Sequence, residues 1–229
     1  PNEYMDTLRE FALRHTLRIY LQSGGPESVV PLDPLQADDD LCYAIPAWGL
    51  SLRFGPVDFI QVHPEVNLRM IDQAIGLLEP LATDRVLDLY CGMGNFTLPL
   101  AKRAGEVTGI EAARPAIERA RQNAAAAGLT NTRFIEADLG GAGAEGAWTR
   151  EAFDLALLDP PRTGAAELLP VLAGVGARRI VYVSCHPGTL ARDAGLLVAA
   201  HGYRLLAAGV MDMFPQTSHV ESMALFVKK

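Results

Sequence analysis

Residues 86–97 read VLDLYCGMGNFT. The stretch opens as an apolar run broken only by Asp88, the pattern of a buried strand. It enters a turn with Gly92 and Gly94, and a helix is expected to follow from Asn95. Glycine lets a backbone turn tightly and approach a ligand, and a helix start offers free N–H groups. A dinucleotide site would carry a further glycine at position 97, where Thr97 stands. Asp88 in the approach would also repel a pyrophosphate. The stretch therefore reads as the strand–turn–helix of a nucleoside-binding sheet whose ligand is cationic and lacks phosphate.

The same rhythm extends to both sides. Val66, Met70, Ile71, Ala74, Leu77 and Leu78 repeat at helical spacing. Strands are expected at 107–110, 132–135, 153–158 and 180–183. Helices are expected at 95–104, 114–127 (closed by Gly128), 165–173 and 189–200. Repeated βα units imply a mostly parallel sheet covered on both faces. Strands at 203–210 and 223–227 follow each other directly and imply an antiparallel edge strand. The fold class is α/β, with a small β-rich N-terminal piece.

That piece spans residues 1–60 and reads as a partial domain. A helix at 6–15 precedes strand candidates at 17–21, 28–32, 41–45 and 50–54, with Ser23-Gly24-Gly25-Pro26 as a turn. The run Ala37-Asp38-Asp39-Asp40 reads as a solvated loop. Residues 61–229 are expected to form the second, α/β domain.

Composition narrows the class. Of 229 residues, 49% are hydrophobic, enough for one good core and an appendage. No stretch reaches the roughly 18 consecutive apolar residues of a membrane helix, and no secretory signal opens the chain. Pro1 stands where an initiator Met would be, so the chain reads as a trimmed product or a fragment. Three widely spaced cysteines, Cys42, Cys91 and Cys185, make neither a disulfide framework nor a CxxC metal site. Reduced thiols in the cytoplasm are expected, with no metal. A net charge of -7 counts against nucleic acid as a partner unless a local basic strip survives.

Two groups of residues carry chemistry. Glu111 ends the second strand, where a carboxylate accepts ribose hydroxyls or is simply solvated. Asp138 follows the third strand, in reach of an adenine amino group. With the glycine turn they converge at one sheet edge and read as an S-adenosylmethionine site. Tyr90 is a ligand contact or a packing aromatic, and Asn95 a contact or a helix cap. The fourth strand ends in Asp159-Pro160-Pro161-Arg162, a rigid turn. Amino-group methyltransferases usually place an aromatic where Arg162 stands. The fifth strand runs into Ser184-Cys185-His186-Pro187 at the same edge, where a thiol suits attack on an electrophilic carbon. Cys91 reads as packing.

These residues resemble one family, the RNA (uracil-5-)methyltransferases. The resemblance rests on FIQV at 59–62, LDLYCGMGNFTLPLA, GIE at 109–111, LLDPPR, VSCHPGTLARD and HVESM at 219–223, in family order. The LARD ending is similar to the ribosomal RNA branch. The resemblance implies S-adenosylmethionine as cofactor, with contacts at Gln61, Tyr90, Asn95, Glu111, Asp138 and Asp159. It implies Cys185 as the nucleophile that adds to uracil carbon 6, and Glu221 as the base that removes the carbon 5 proton. The target base must leave its stack. A cytoplasmic monomer acting on RNA, ribosomal RNA in particular, is the expected setting. Some members carry an N-terminal iron–sulfur cluster and an OB-like RNA-binding domain; neither is visible, and no iron–sulfur cluster is expected in this chain. His63 and His186 depart from the family, which usually shows Asn at both places.

Two rival readings differ at testable points. An RNA cytosine-5 methyltransferase generally carries Pro-Cys in place of the Asp159 turn and a second cysteine. An idle RNA-binding module of the same fold would not need the Cys185/Glu221 pair.

Overall fold

The computed structural model describes residues 2–33, 41–140 and 146–229; the acidic run at 37–40 lies outside the described residues. The chain divides into two compact units, Pro1–Tyr43 with Arg53–Phe59, and Ala44–Leu52 with Ile60–Lys229.

In the first unit, helix α1 (Asn2–His15) is followed by the antiparallel strands β1 (Tyr20–Gln22) and β2 (Val29–Pro31), with Leu21 opposite Val30. The strand expected at 17–21 starts late because residues 16 and 17 close the helix. Thr16 is left-handed at φ 54°, its N–H donates to the Leu13 carbonyl, and the Leu17 N–H donates to Ala12. That pair of bonds satisfies carbonyls that α1 would otherwise leave orphaned. A hairpin of β3 (Cys42–Ile45) and β4 (Leu50–Arg53) comes next, its tip counted with the second unit.

The second unit continues with α2 (Pro64–Leu78), β5 (Arg85–Leu89), α3 (Thr97–Ala101), β6 (Glu106–Glu111), α4 (Arg114–Ala126), β7 (Thr132–Glu136) and β8 (Leu155–Leu158). It closes with α5 (Leu169–Gly174), β9 (Arg179–Ser184), α6 (Pro187–Ala200), β10 (Tyr203–Met211) and β11 (Glu221–Lys228). The seven-stranded sheet has the order β10-β11-β9-β8-β5-β6-β7. Strands β5 to β9 are parallel, and β11 runs antiparallel to both neighbours. The reversed strand is thus not outermost: it is inserted between β9 and β10. Burial explains the order. Every residue of β11 from Glu221 to Phe226 is buried, whereas β10 is exposed from Arg204 to Val210 and forms the edge.

Strands covered on both faces read as continuous apolar runs, and all four residues of β8 are buried. Leu87, Leu89, Leu158, Tyr182 and Phe226 belong to one core, each fully buried large side chain contributing about 1.5–3 kcal/mol. Two helices are shorter than their patterns. Residues 95 and 96 stay in the glycine turn, and Pro170 in the first turn of α5 marks its start after a short 3-10 segment, Ala166–Leu168.

Candidate active site

The carboxyl ends of the parallel strands form one edge, the place where open α/β sheets bind ligands. Leu89 pairs with both Ile110 and Leu158, Leu158 with Tyr182, and Glu111 with Glu136, so the residues that follow these positions emerge together. Tyr90, Glu111, Asp138, Asp159 and Cys185 are all in that set.

The turn after β5 is held by its neighbours. Tyr90 adopts φ 63°, a conformation costly for a non-glycine residue, and the Cys91 N–H donates to the Ile110 carbonyl at 3.0 Å. Gly94 is also left-handed, and a Cβ there would collide with Leu98. Glu111 accepts from the Gly92 N–H at 3.2 Å and from the Ala113 N–H at 2.9 Å, tying the second strand end to the turn. Asn95 and Asn67 exchange two amide bonds of 3.1 and 2.9 Å. Asp138 is exposed and accepts from the Gly140 N–H. Burial lifts the Tyr90 hydroxyl to about 12, and Asp138 and Glu111 add to it, so these three groups share one neighbourhood. Gln61 points its amide at Asp159, at 3.5 Å.

Carboxyl groups dominate the pocket electrostatics. Burial pushes Asp88 up to about 7, with Asp159 and Glu111 adding to the effect against a hydrogen bond from Thr97. Asp159 keeps some surface open to solvent yet lies deep among protein atoms, and that burial lifts it to about 7. Glu221 is raised to about 8 by burial first and by Asp159 second. One oxygen of Asp88 and one of Glu221 are buried without a hydrogen-bond partner. Such oxygens favour a ligand that brings donors or positive charge. A cationic nucleoside fits this set; a phosphate ester does not.

Cys185 follows β9 and is half-buried. Burial raises its thiol, the charges of Glu221 and Asp159 raise it further, and Arg162 pulls it down. The β9–β11 ladder sets its partner. Ser222 pairs with Ser184, which places Glu221 and Cys185 one step beyond that pair on adjoining strands. Glu221, expected as the base from the family resemblance alone, is 2% exposed. Cys91 is buried and packs under the turn, while Cys42 is exposed in the hairpin.

Both family departures prove to be helix caps. His63 Nδ1 accepts from the Val66 N–H at 3.4 Å, and His186 Nδ1 accepts from the Thr189 N–H at 3.2 Å. Each precedes a proline at the helix start. Imidazole nitrogen replaces the amide oxygen that an Asn cap would offer.

Several supporting residues escaped the sequence reading. Asn67 is buried in α2 beside Met70 and Ile71; a polar residue on that apolar stripe was the available signal. Asn123 donates to the Met93 carbonyl from α4. Asp193, Tyr182 and Ser222 are buried polar groups whose partners are far off in sequence.

Residues 48–140 and 146–229 match the family described as tRNA (Uracil-5-)-methyltransferase. The 23S rRNA (uracil(1939)-C(5))-methyltransferase RlmD of Methylococcus capsulatus is 52% identical over 219 residues, 96% of this chain and 49% of that protein. Its counterpart in Alkalilimnicola ehrlichii is 53% identical over 226 residues, 98% of this chain and 50% of that protein. The chain thus spans about half the length of these curated relatives. Among solved structures, the tRNA (uracil-54, C5)-methyltransferase of Pyrococcus abyssi, in complex with S-adenosyl-L-homocysteine, superposes with a TM-score of 0.70 at 30% identity. That match covers 83% of this chain and 45% of the other. TYW2 of M. jannaschii, in complex with AdoMet, shares the fold at 17% identity and a TM-score of 0.59, over 80% of this chain and 84% of its own.

Proposed function

We propose, from the premise that the chain belongs to the RNA (uracil-5-)-methyltransferase family on its ribosomal RNA side, that it methylates carbon 5 of a uridine in 23S ribosomal RNA. S-adenosylmethionine is the cofactor, and when bound it supplies an electrophilic methyl group carried on a cationic sulfur. Gln61, Tyr90, Asn95, Glu111, Asp138 and Asp159 are the residues proposed to hold it.

Carbon 5 of uracil is too weak a nucleophile to accept a methyl group unaided. In the proposed reaction the Cys185 thiol loses its proton to solvent, the thiolate bonds to carbon 6 and the 5,6 double bond opens, leaving carbon 5 enolate-like. After carbon 5 is methylated, Glu221 takes its proton. The carbon 6–sulfur bond then breaks, and the double bond re-forms as the thiolate leaves. Burial, and Asp159 after it, raise the Glu221 carboxyl to about 8. It reaches its proton-accepting form once positive charge enters the carboxylate cluster.

One observation carries this reading: the register of β9 against β11, which brings the only half-buried cysteine among the described residues to the strand end beside a buried glutamate. As part of the same proposal, the protein works as a cytoplasmic monomer with RNA as its partner. No helix among the described residues is long and apolar enough to cross a membrane.

The test is methyl transfer from labelled S-adenosylmethionine to a 23S RNA transcript, followed by mass analysis of the nucleosides. Label in 5-methyluridine is the expected result. Label in 5-methylcytidine, or none, would count against it.

A further inference from the structure

Asn67 is a polar residue on an apolar stripe. It is buried, and Met70 and Ile71 follow it on the buried face of α2 at helical spacing. A leucine there would extend the stripe without burying polar atoms, so packing does not account for an amide. Its side chain pairs with that of Asn95. Asn67 Nδ2 donates to Asn95 Oδ1 at 3.1 Å, and Asn95 Nδ2 donates to Asn67 Oδ1 at 2.9 Å. The pair is reciprocal: turning either amide over would set oxygen against oxygen and nitrogen against nitrogen. The orientation of the Asn95 amide is thereby fixed, and with it the direction of its second N–H and of the remaining lone pair on Oδ1. The backbone of the glycine turn has other supports. The Cys91 N–H donates to the Ile110 carbonyl, the Gly92 N–H to Glu111, and the Asn123 amide of α4 to the Met93 carbonyl at 3.3 Å. The Asn67 bonds go to a side chain instead. Gln61, just ahead of α2, donates to Asp159 at 3.5 Å. Segment 61–67 thus reaches the ends of two neighbouring strands, β5 through Asn95 and β8 through Asp159.

We infer that Asn67 is a positioning residue for S-adenosylmethionine: it acts through Asn95, whose amide it holds in the orientation that meets the cofactor. This deepens the proposed function and rests on Asn95 being a cofactor contact there. Freed from Asn67, the half-buried Asn95 amide would sample several orientations and turn toward water. Binding would then have to order it, at a cost in affinity. The loss falls on the cofactor and not on the fold.

The test is calorimetric titration with S-adenosylmethionine, beside thermal melts of the same preparations, for wild type, Asn67→Leu, Asn95→Ala and the double variant. Leucine keeps the branched shape of the asparagine side chain and removes both bonds. Asn67→Leu should weaken affinity by about tenfold, with the melting temperature unchanged or raised. Asn95→Ala should weaken it at least as much, and the double variant no more than Asn95→Ala, because both changes remove one effect. In methyl transfer to a 23S RNA transcript, Asn67→Leu should raise KM for the cofactor by a similar factor and hold kcat within about twofold. Wild-type affinity in Asn67→Leu, additive losses, a lowered kcat with KM unchanged, or a loss of affinity that tracks a lowered melting temperature would overturn the inference. Should Asn67→Leu fail to fold, Asn67→Asp, which keeps the acceptor and removes the donor, is judged by the same outcomes. Wild-type affinity in Asn95→Ala would remove the contact itself, and the inference with it. A wild type that binds the cofactor but leaves uridine unmethylated would sink the proposed reaction alone, because the titration needs no RNA.

Discussion

Ser222 stands directly opposite Ser184 in the antiparallel β9–β11 ladder, and its hydroxyl donates to the Ser184 carbonyl at 2.8 Å. This buried bond fixes the strand register at the last pair before Cys185 and Glu221. A one-residue slip would turn each side chain to the other face of the sheet.

Ser222→Ala should therefore cost more activity than stability. Loss of one buried donor is expected to lower stability by about 1 kcal/mol. Turnover should fall several-fold while S-adenosylmethionine affinity holds. Thermal melts and steady-state kinetics on the same preparation check this.

The raised carboxyls predict how the unliganded protein responds to pH. Glu221 ionises near its ordinary value when unfolded but at about 8 when folded, and Asp159 and Asp88 at about 7. The folded state thus binds more protons than the unfolded state between the two values. The stabilisation is fully present below the unfolded value, near 4 to 4.5, and is lost as pH rises through about 7 to 8. Melting temperature should decline across that window. Saturating S-adenosylmethionine should flatten the decline, and Glu221→Gln should remove part of it. A melting temperature that rises steadily from pH 5 to pH 8 would contradict this account of the cluster.

Asp88 offers a direct probe of the pocket's preference for positive charge, because one of its buried oxygens has no partner. Asp88→Asn should leave thermal stability unchanged or raised, since it removes a desolvated charge. S-adenosylmethionine affinity should weaken by about tenfold or more, equivalent to roughly 1.4 kcal/mol. Neutral S-adenosylhomocysteine should lose less. Calorimetric titration with both ligands separates the two effects.

The two histidine caps predict a simple substitution pattern. His186→Asn should keep both stability and turnover, because an amide oxygen can accept from the Thr189 N–H in the same way. His186→Ala removes the acceptor and should cost about 0.5–2 kcal/mol. Denaturant unfolding of the two variants checks the difference.

Sheet and helices were legible because their signals are local: apolar runs at strand length, helical periodicity in 66–78 and glycines after residue 91. Glu111, Asp159 and Cys185 were legible for the same reason, each following a recognisable strand. Glu221 was not. Its burial depends on β11 entering between β9 and β10, and nothing near residue 221 announces that pairing. The buried Asp193 was hidden likewise, since its hydrogen-bond partners Ala165 and Tyr182 are 28 and 11 residues away. His63 and His186 looked like departures from a pattern because capping is judged by side-chain geometry, which a residue name conceals.

Mass spectrometry of Glu221→Gln incubated with 23S RNA and S-adenosylmethionine reaches the central claim most directly. Bond formation at carbon 6 comes before proton removal, so the account predicts a protein–RNA adduct that accumulates, attached through Cys185. Failure of Glu221→Gln to form an adduct under conditions where the wild type turns over would contradict it. So would an adduct that persists when Cys185 is also replaced by Ala.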